Sequence, residues 1–161
     1  MPTTRPSRPQ LDPRGPRFGA GITAVLLLAV MFLSLTGAST AALILLAAIA
    51  GLFAWGAFAG AGRHPYGVVF KKFVRPHLAP PTDLEDAAPP SFAQGVGLAV
   101  SLVGLVLGLT GLPGAIGIAA AAAFVAAFLN SVFDYCLGCQ LYLVLVRFGV
   151  LNRVGRAVGD A

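Results

Sequence analysis

Cys136 and Cys139 stand three positions apart in the stretch "DYCLGCQLY", and the chain contains no other cysteine. At a helix start this spacing brings the Cα atoms within disulfide range, and the helix N-terminus favours a thiolate. The chemistry on offer is thiol–disulfide exchange or sulfur transfer, with Cys136 attacking and Cys139 resolving the mixed disulfide. Asp134, just upstream, is placed to accept a proton or to raise a thiol pKa by like-charge repulsion. Two other readings use the same residues. Cysteine packs well as a small hydrophobe, and a dimer would complete a four-thiolate zinc site. A single chain supplies only two thiolates and the distant His64 and His77, so no metal and no cofactor are assigned to it. Both histidines read as solvated loop residues. Asn130, Ser131 and Asp134 share one face just above the pair, and polar groups so close to hydrocarbon turn toward other helices or water. Tyr135, Cys139 and Tyr142 form a stripe that would shield one sulfur.

The elements that hold these residues belong to a membrane protein. Of 161 residues, 57% are hydrophobic and 11% charged, with a mean hydropathy of +0.84. Soluble domains carry roughly a quarter charged residues, so lipid must solvate most of this chain. The net charge of +5 does not imply nucleic acid, because the basic residues flank apolar runs, where they act as topology signals. Residues 1–17 contain five prolines and four arginines, which predicts a disordered tail. Four apolar runs follow, at about 18–36, 40–61, 92–112 and 115–133, each near the roughly 20 residues that cross a bilayer. Ser91 and Gln94 have capping-box spacing at the start of the third run. The fold class is therefore an all-α membrane protein, with four transmembrane helices in two hairpins joined by a cytoplasmic loop.

All eleven Lys and Arg fall before the first run, between the second and third, or after the fourth. The positive-inside rule places those regions, and both termini, in the cytoplasm. A fifth span would export Arg147, Arg153 and Arg156. Gly56 with Gly60, and Gly104 with Gly108, put small residues one turn apart for close helix packing. In the middle loop, Tyr66, Val69, Phe70, Phe73 and Val74 share a helical face, and Lys71, Lys72 and Arg75 lie off it. This predicts an amphipathic interfacial helix over 66–75 whose cations meet lipid headgroups or a partner. Thr82 and Glu85 have the spacing of one capped helical turn. A continuous helix from Ala115 to Val146 would be about 48 Å long, beyond the roughly 30 Å of hydrocarbon. The chain is therefore expected to break near Cys-Leu-Gly-Cys, leaving residues 148–161 as an amphipathic C-terminal segment.

The blocks "HPYGVVFKKFVRPHLAPPTDLEDAAPPSFAQGVG" and "AFLNSVFDYCLGCQLY" resemble the domain-of-unknown-function family four-three-nine-five, small actinobacterial integral-membrane proteins, over roughly Asp12 to Arg147. The family's Cys-Leu-Gly-Cys block falls on Cys136, Leu137, Gly138 and Cys139, followed by Tyr142. Its acidic residue after the second cysteine is Gln140 here, which removes a proton acceptor at that point. The resemblance implies thioredoxin-like or sulfurtransferase-like soluble partners, but no assigned activity. The resulting expectation is an inner-membrane thiol-redox or sulfur-relay component, with a homo-oligomer left open. The rivals are a scaffold subunit that presents the basic helix and a small-solute carrier. The carrier is disfavoured because Asp134 lies at a span end, not at mid-depth.

Overall fold

The computed structural model describes residues 9–151. Four helices are long and apolar enough to cross a membrane: α1 (Arg14–Leu35), α2 (Ser39–Ala59), α4 (Ala88–Leu109) and α5 (Ala115–Phe133). A short α3 (Pro65–Val69) lies in the middle loop, and α6 (Leu137–Arg147) follows α5. At 1.5 Å per residue the long helices measure about 28–33 Å, which matches the hydrocarbon thickness.

Large apolar residues lie on the outside as well as in the core. Val25, Phe32, Leu35, Ile44, Phe58, Leu109 and Ile118 are all more than half exposed, whereas Ala42, Ala120 and Leu46 are fully buried. In lipid no hydrophobic force sorts large residues inward, so small residues gather where backbones approach. The most extensive packing is α1 on α5 and α2 on α4, with α4 on α5 and α1 on α2 next. A Cβ at Gly104 would collide with Ala119 of α5, and one at Gly108 would come within 2.6 Å of Ile116. Gly56 lies under the stem of Gln94 from α4, 2.7 Å from where a Cβ would stand. Gly60 is not part of a packed pair; it ends α2 with φ 87°.

Local signals misplace both helix starts on the loop side. Helix α1 begins at Arg14, not Phe18, and part of the expected disordered tail is ordered. Gln10–Leu11 pairs antiparallel with Glu85–Asp86, Gln10 opposite Asp86 and Leu11 opposite Glu85. The two strands lead into the two helices in the same way. The Asp12 carboxylate accepts the Arg14 N–H at 3.1 Å, and that of Asp86 accepts the Ala88 N–H at 2.9 Å. Residues 82–85 thus form no helical turn, and α4 starts at Ala88 without a Ser91–Gln94 capping box. Ser91 instead donates to the Ala87 carbonyl and accepts the Ala61 N–H at 3.0 Å, tying α4 to the end of α2. Arg14 also reaches the Ala79 carbonyl at 3.1 Å.

The middle-loop helix runs from Pro65 through a π-helical turn, Phe70–Val74, into a tighter turn, Arg75–His77. Phe70 is buried against α1, its ring 5.8 Å from that of Phe18. His64 is not solvated. It is buried, caps this helix by accepting the Tyr66 N–H on Nδ1 at 3.2 Å, and donates from Nε2 to the Leu52 carbonyl at 3.1 Å. His77 is exposed, and its Nδ1 donates to the Phe73 carbonyl at 3.0 Å.

Candidate functional site at the sulfur pair

Helix α5 stops at Phe133 because Asp134 takes a left-handed conformation, φ 58°. The Tyr135 N–H then bonds back to the Leu129 carbonyl at 3.2 Å, closing the helix end in a widened turn. Arg17 of α1 covers this end. It donates to the Ser131 carbonyl at 3.4 Å and pairs with Asp134 at 3.2 Å. A cation beside the unsatisfied carbonyls of a helix C-terminus is favourably placed, and Arg17 also offsets the Asp134 charge next to the sulfurs. The chain restarts with Cys136 as the N-cap of α6, its Sγ accepting the Cys139 N–H at 3.2 Å. The expected break is therefore at 134–136, and Gly138 is not the hinge. It lies in the first turn of α6, where a Cβ would come within 2.6 Å of Ala93 of α4. One turn further on, Tyr142 packs its ring 5.6 Å from Phe92. Helix α6 thus packs against the start of α4.

Cys136 and Cys139 are joined in a disulfide, with Cα atoms 5.2 Å apart, in the middle of the usual range. Both are partly exposed. Among the described residues, no group of three or more His, Cys, Asp or Glu is close enough to hold a metal ion. Tyr135 precedes α6 and is exposed, so the expected Tyr135–Cys139–Tyr142 stripe is interrupted by the break.

The sulfur pair lies at the mouth of a cleft of about 640 Å³ between α1, α4, α5 and the start of α6. Arg17, Gln94, Asn130, Asp134, Cys136 and Cys139 contribute to it at the loop end, and Val96, Val100, Ala123 and Ala127 line its apolar depth. Ser131, expected on the same face as Asn130, turns toward α1 and lies 2.9 Å from where a Cβ on Gly21 would stand. Sequence reasoning missed Arg17, Gln94 and the cleft itself. Their only sequence signal was a polar residue just inside a span. Lys71, Lys72 and Arg75 are exposed on the middle-loop helix, away from the cleft lining.

Comparison with known proteins adds the family. The family model "Domain of unknown function (DUF4395)" matches residues 11–147. No curated protein matches the chain, and no solved structure does.

Proposed function

This chain belongs to that family of unknown function, and from this premise we propose that it is a multi-pass membrane protein whose Cys136–Cys139 pair exchanges electrons or sulfur with a soluble protein. The observation that carries this reading is the placement of Cys136. Its Sγ sits at the N-cap of α6 and accepts the Cys139 N–H, and once reduced, a sulfur so placed is the one whose negative charge the helix N-terminus stabilises, which makes it the nucleophile. Cys136 attacks a partner sulfur, and Cys139, one turn on, attacks the resulting mixed disulfide. Asp134 acts through Arg17, holding the α5 end in place ahead of the pair, and is a positioning residue. The basic residues lie outside the spans or in the first turns of α1, all at the loop end, and the short turns carry none, so the positive-inside rule favours an inner-membrane orientation with the sulfur pair and both termini in the cytoplasm. Thioredoxin-like or sulfurtransferase-like proteins are the partners with matching chemistry.

A Cys139→Ser variant, expressed as the full chain in native membranes, should accumulate a partner-linked species that disappears on reduction, while Cys136→Ser should not. If both variants yield none and Cys136 resists alkylation in reduced membranes, the exchange reading fails. A second reading has one specific support: Lys71, Lys72 and Arg75 are exposed beside the exposed apolar residues Val68 and Phe73. Such a face suits a scaffold role. In that case charge reversal at Lys71 and Lys72 would abolish partner co-purification, and cysteine substitution would not.

A further inference from the structure

Two amide side chains line the cleft without a hydrogen-bond partner among the described residues. Gln94 projects from α4 with its amide against Gly56 of α2, Asn130 projects from α5, and both are half-buried. From Ala88 to Gln94 is about 9 Å along the helix, and from Asn130 to Phe133 about 5 Å, so both amides lie just inside the span ends. Val100 lies about 18 Å in, so the apolar part of the cleft reaches toward mid-bilayer. Half-buried amides at the edge of a span are free to bond a polar group that enters the cleft, and the alanine- and valine-lined space beneath them suits an apolar one. Cys136 and Cys139 line the same space.

We infer that this cleft binds a lipid-soluble quinone, its ring between the Gln94 and Asn130 amides and its tail along Val96, Val100 and Ala123, where it accepts electrons from the Cys136–Cys139 dithiol. The inference rests on the proposed exchange function and adds the second half of its cycle. Two S–H bonds break and one S–S bond forms. The two electrons pass to the quinone ring and the two protons to its carbonyl oxygens, giving the quinol. Amides suit both ends of this reaction, since they donate to a quinone carbonyl and accept from a quinol hydroxyl without changing charge. A compartment that keeps thiols reduced re-forms such a disulfide only if an electron sink lies beside it, and the bilayer can supply one through the cleft. A phospholipid would fill the apolar depth and offer its ester carbonyls to the amides, but it brings no electron acceptor to the dithiol.

The test uses the full chain in phospholipid nanodiscs, reduced and freed of reductant, with a fully substituted short-chain benzoquinone that thiols cannot arylate. Quinone absorbance and free thiols are followed together. One quinol should form for each pair of thiols lost, with a rate that saturates in quinone. Gln94→Met, which keeps the stem packed over Gly56, and Asn130→Leu should each raise the half-saturating quinone concentration about tenfold, the loss of one hydrogen bond. Their thiol alkylation rates and thermal midpoints report whether each variant is intact. Non-saturating oxidation at the rate of a free small dithiol, or intact amide variants that behave as wild type, would overturn the inference. So would native mass spectrometry in which added quinone never displaces bound phospholipid. A trapped partner disulfide without quinone reduction would remove the quinone and leave the exchange function standing. Quinone reduction without any trapped partner would do the reverse.

Discussion

Asp134 is the one non-glycine described residue with positive φ, and its side chain is 62% exposed. Aspartate tolerates this backbone region better than most residues, whereas alanine does not. Asp134→Ala should therefore lose both the backbone fit and the Arg17 pair, lowering stability by about 1 kcal/mol. Asp134→Gly loses only the pair and should come closer to wild type. Equal thermal midpoints for the two variants would show that the backbone at this break is unstrained. His64 makes a prediction in pH. Burial lowers its pKa from the ordinary 6.5, so the unfolded chain takes up the proton more readily than the folded one. The stability contributed by its cap is complete above about pH 6.5 and is lost as pH falls through the lower folded value. Protonation would put a hydrogen on the Nδ1 that now accepts the Tyr66 N–H. Thermal midpoints in detergent should fall between pH 7 and 5 for wild type, and less steeply for His64→Gln. Parallel curves would remove His64 as the cause.

At the level of elements, the middle-loop helix is fastened by its apolar side. Phe70 fills the space between Gly15 and Phe18, and a Cβ at Gly15 would stand 3.5 Å from its ring. Phe70→Ala should cost about 3 kcal/mol and raise proteolysis between Arg63 and His77, with α1 and α2 still protected. Unchanged cleavage would mean that headgroup contact alone holds this helix. Helices α4 and α5 depend on small residues in the same way. Gly104→Val has no room against Ala119, and overpacking there should cost about 1–3 kcal/mol. The expected readout is a lower thermal midpoint in detergent. The Asp12 carboxyl holds the start of α1 at the loop end. Its hydrogen bonds to the Arg14 guanidinium, at 2.8 and 2.9 Å, hold its pKa below the usual carboxylate value.

Across the whole molecule, four spans bring residues 9–13, 60–87 and 134–151 together at one end of the bundle. The ties are Arg14 to Ala79, Arg17 to Asp134, and Tyr142 against Phe92. The sulfur pair is thereby fixed to the same end as the basic loop. A membrane-impermeant thiol reagent should label reduced Cys136 and Cys139 only in inverted vesicles. Labelling in intact cells would put the pair on the opposite face and reverse the proposed orientation. The membrane class and the family were already legible in residues 11–147, as were the approximate spans. Residues 152–161, most of the expected amphipathic C-terminal segment, lie outside the described part of the chain.

Hydropathy, charge placement and the Cys-Leu-Gly-Cys spacing are properties of short windows, and short windows suffice where lipid imposes one physical demand: long, apolar and internally hydrogen-bonded helices. From such windows the sequence by itself determined the membrane class, the four spans, the amphipathic loop helix and a helix break at the cysteines. Only the tertiary structure decided the rest. Strand pairing of Gln10–Leu11 with Glu85–Asp86, burial of His64, the Arg17 cap on α5 and the cleft under Gln94 and Asn130 all join residues far apart in sequence. Each depends on how the helices approach one another, and no local periodicity or propensity encodes that approach.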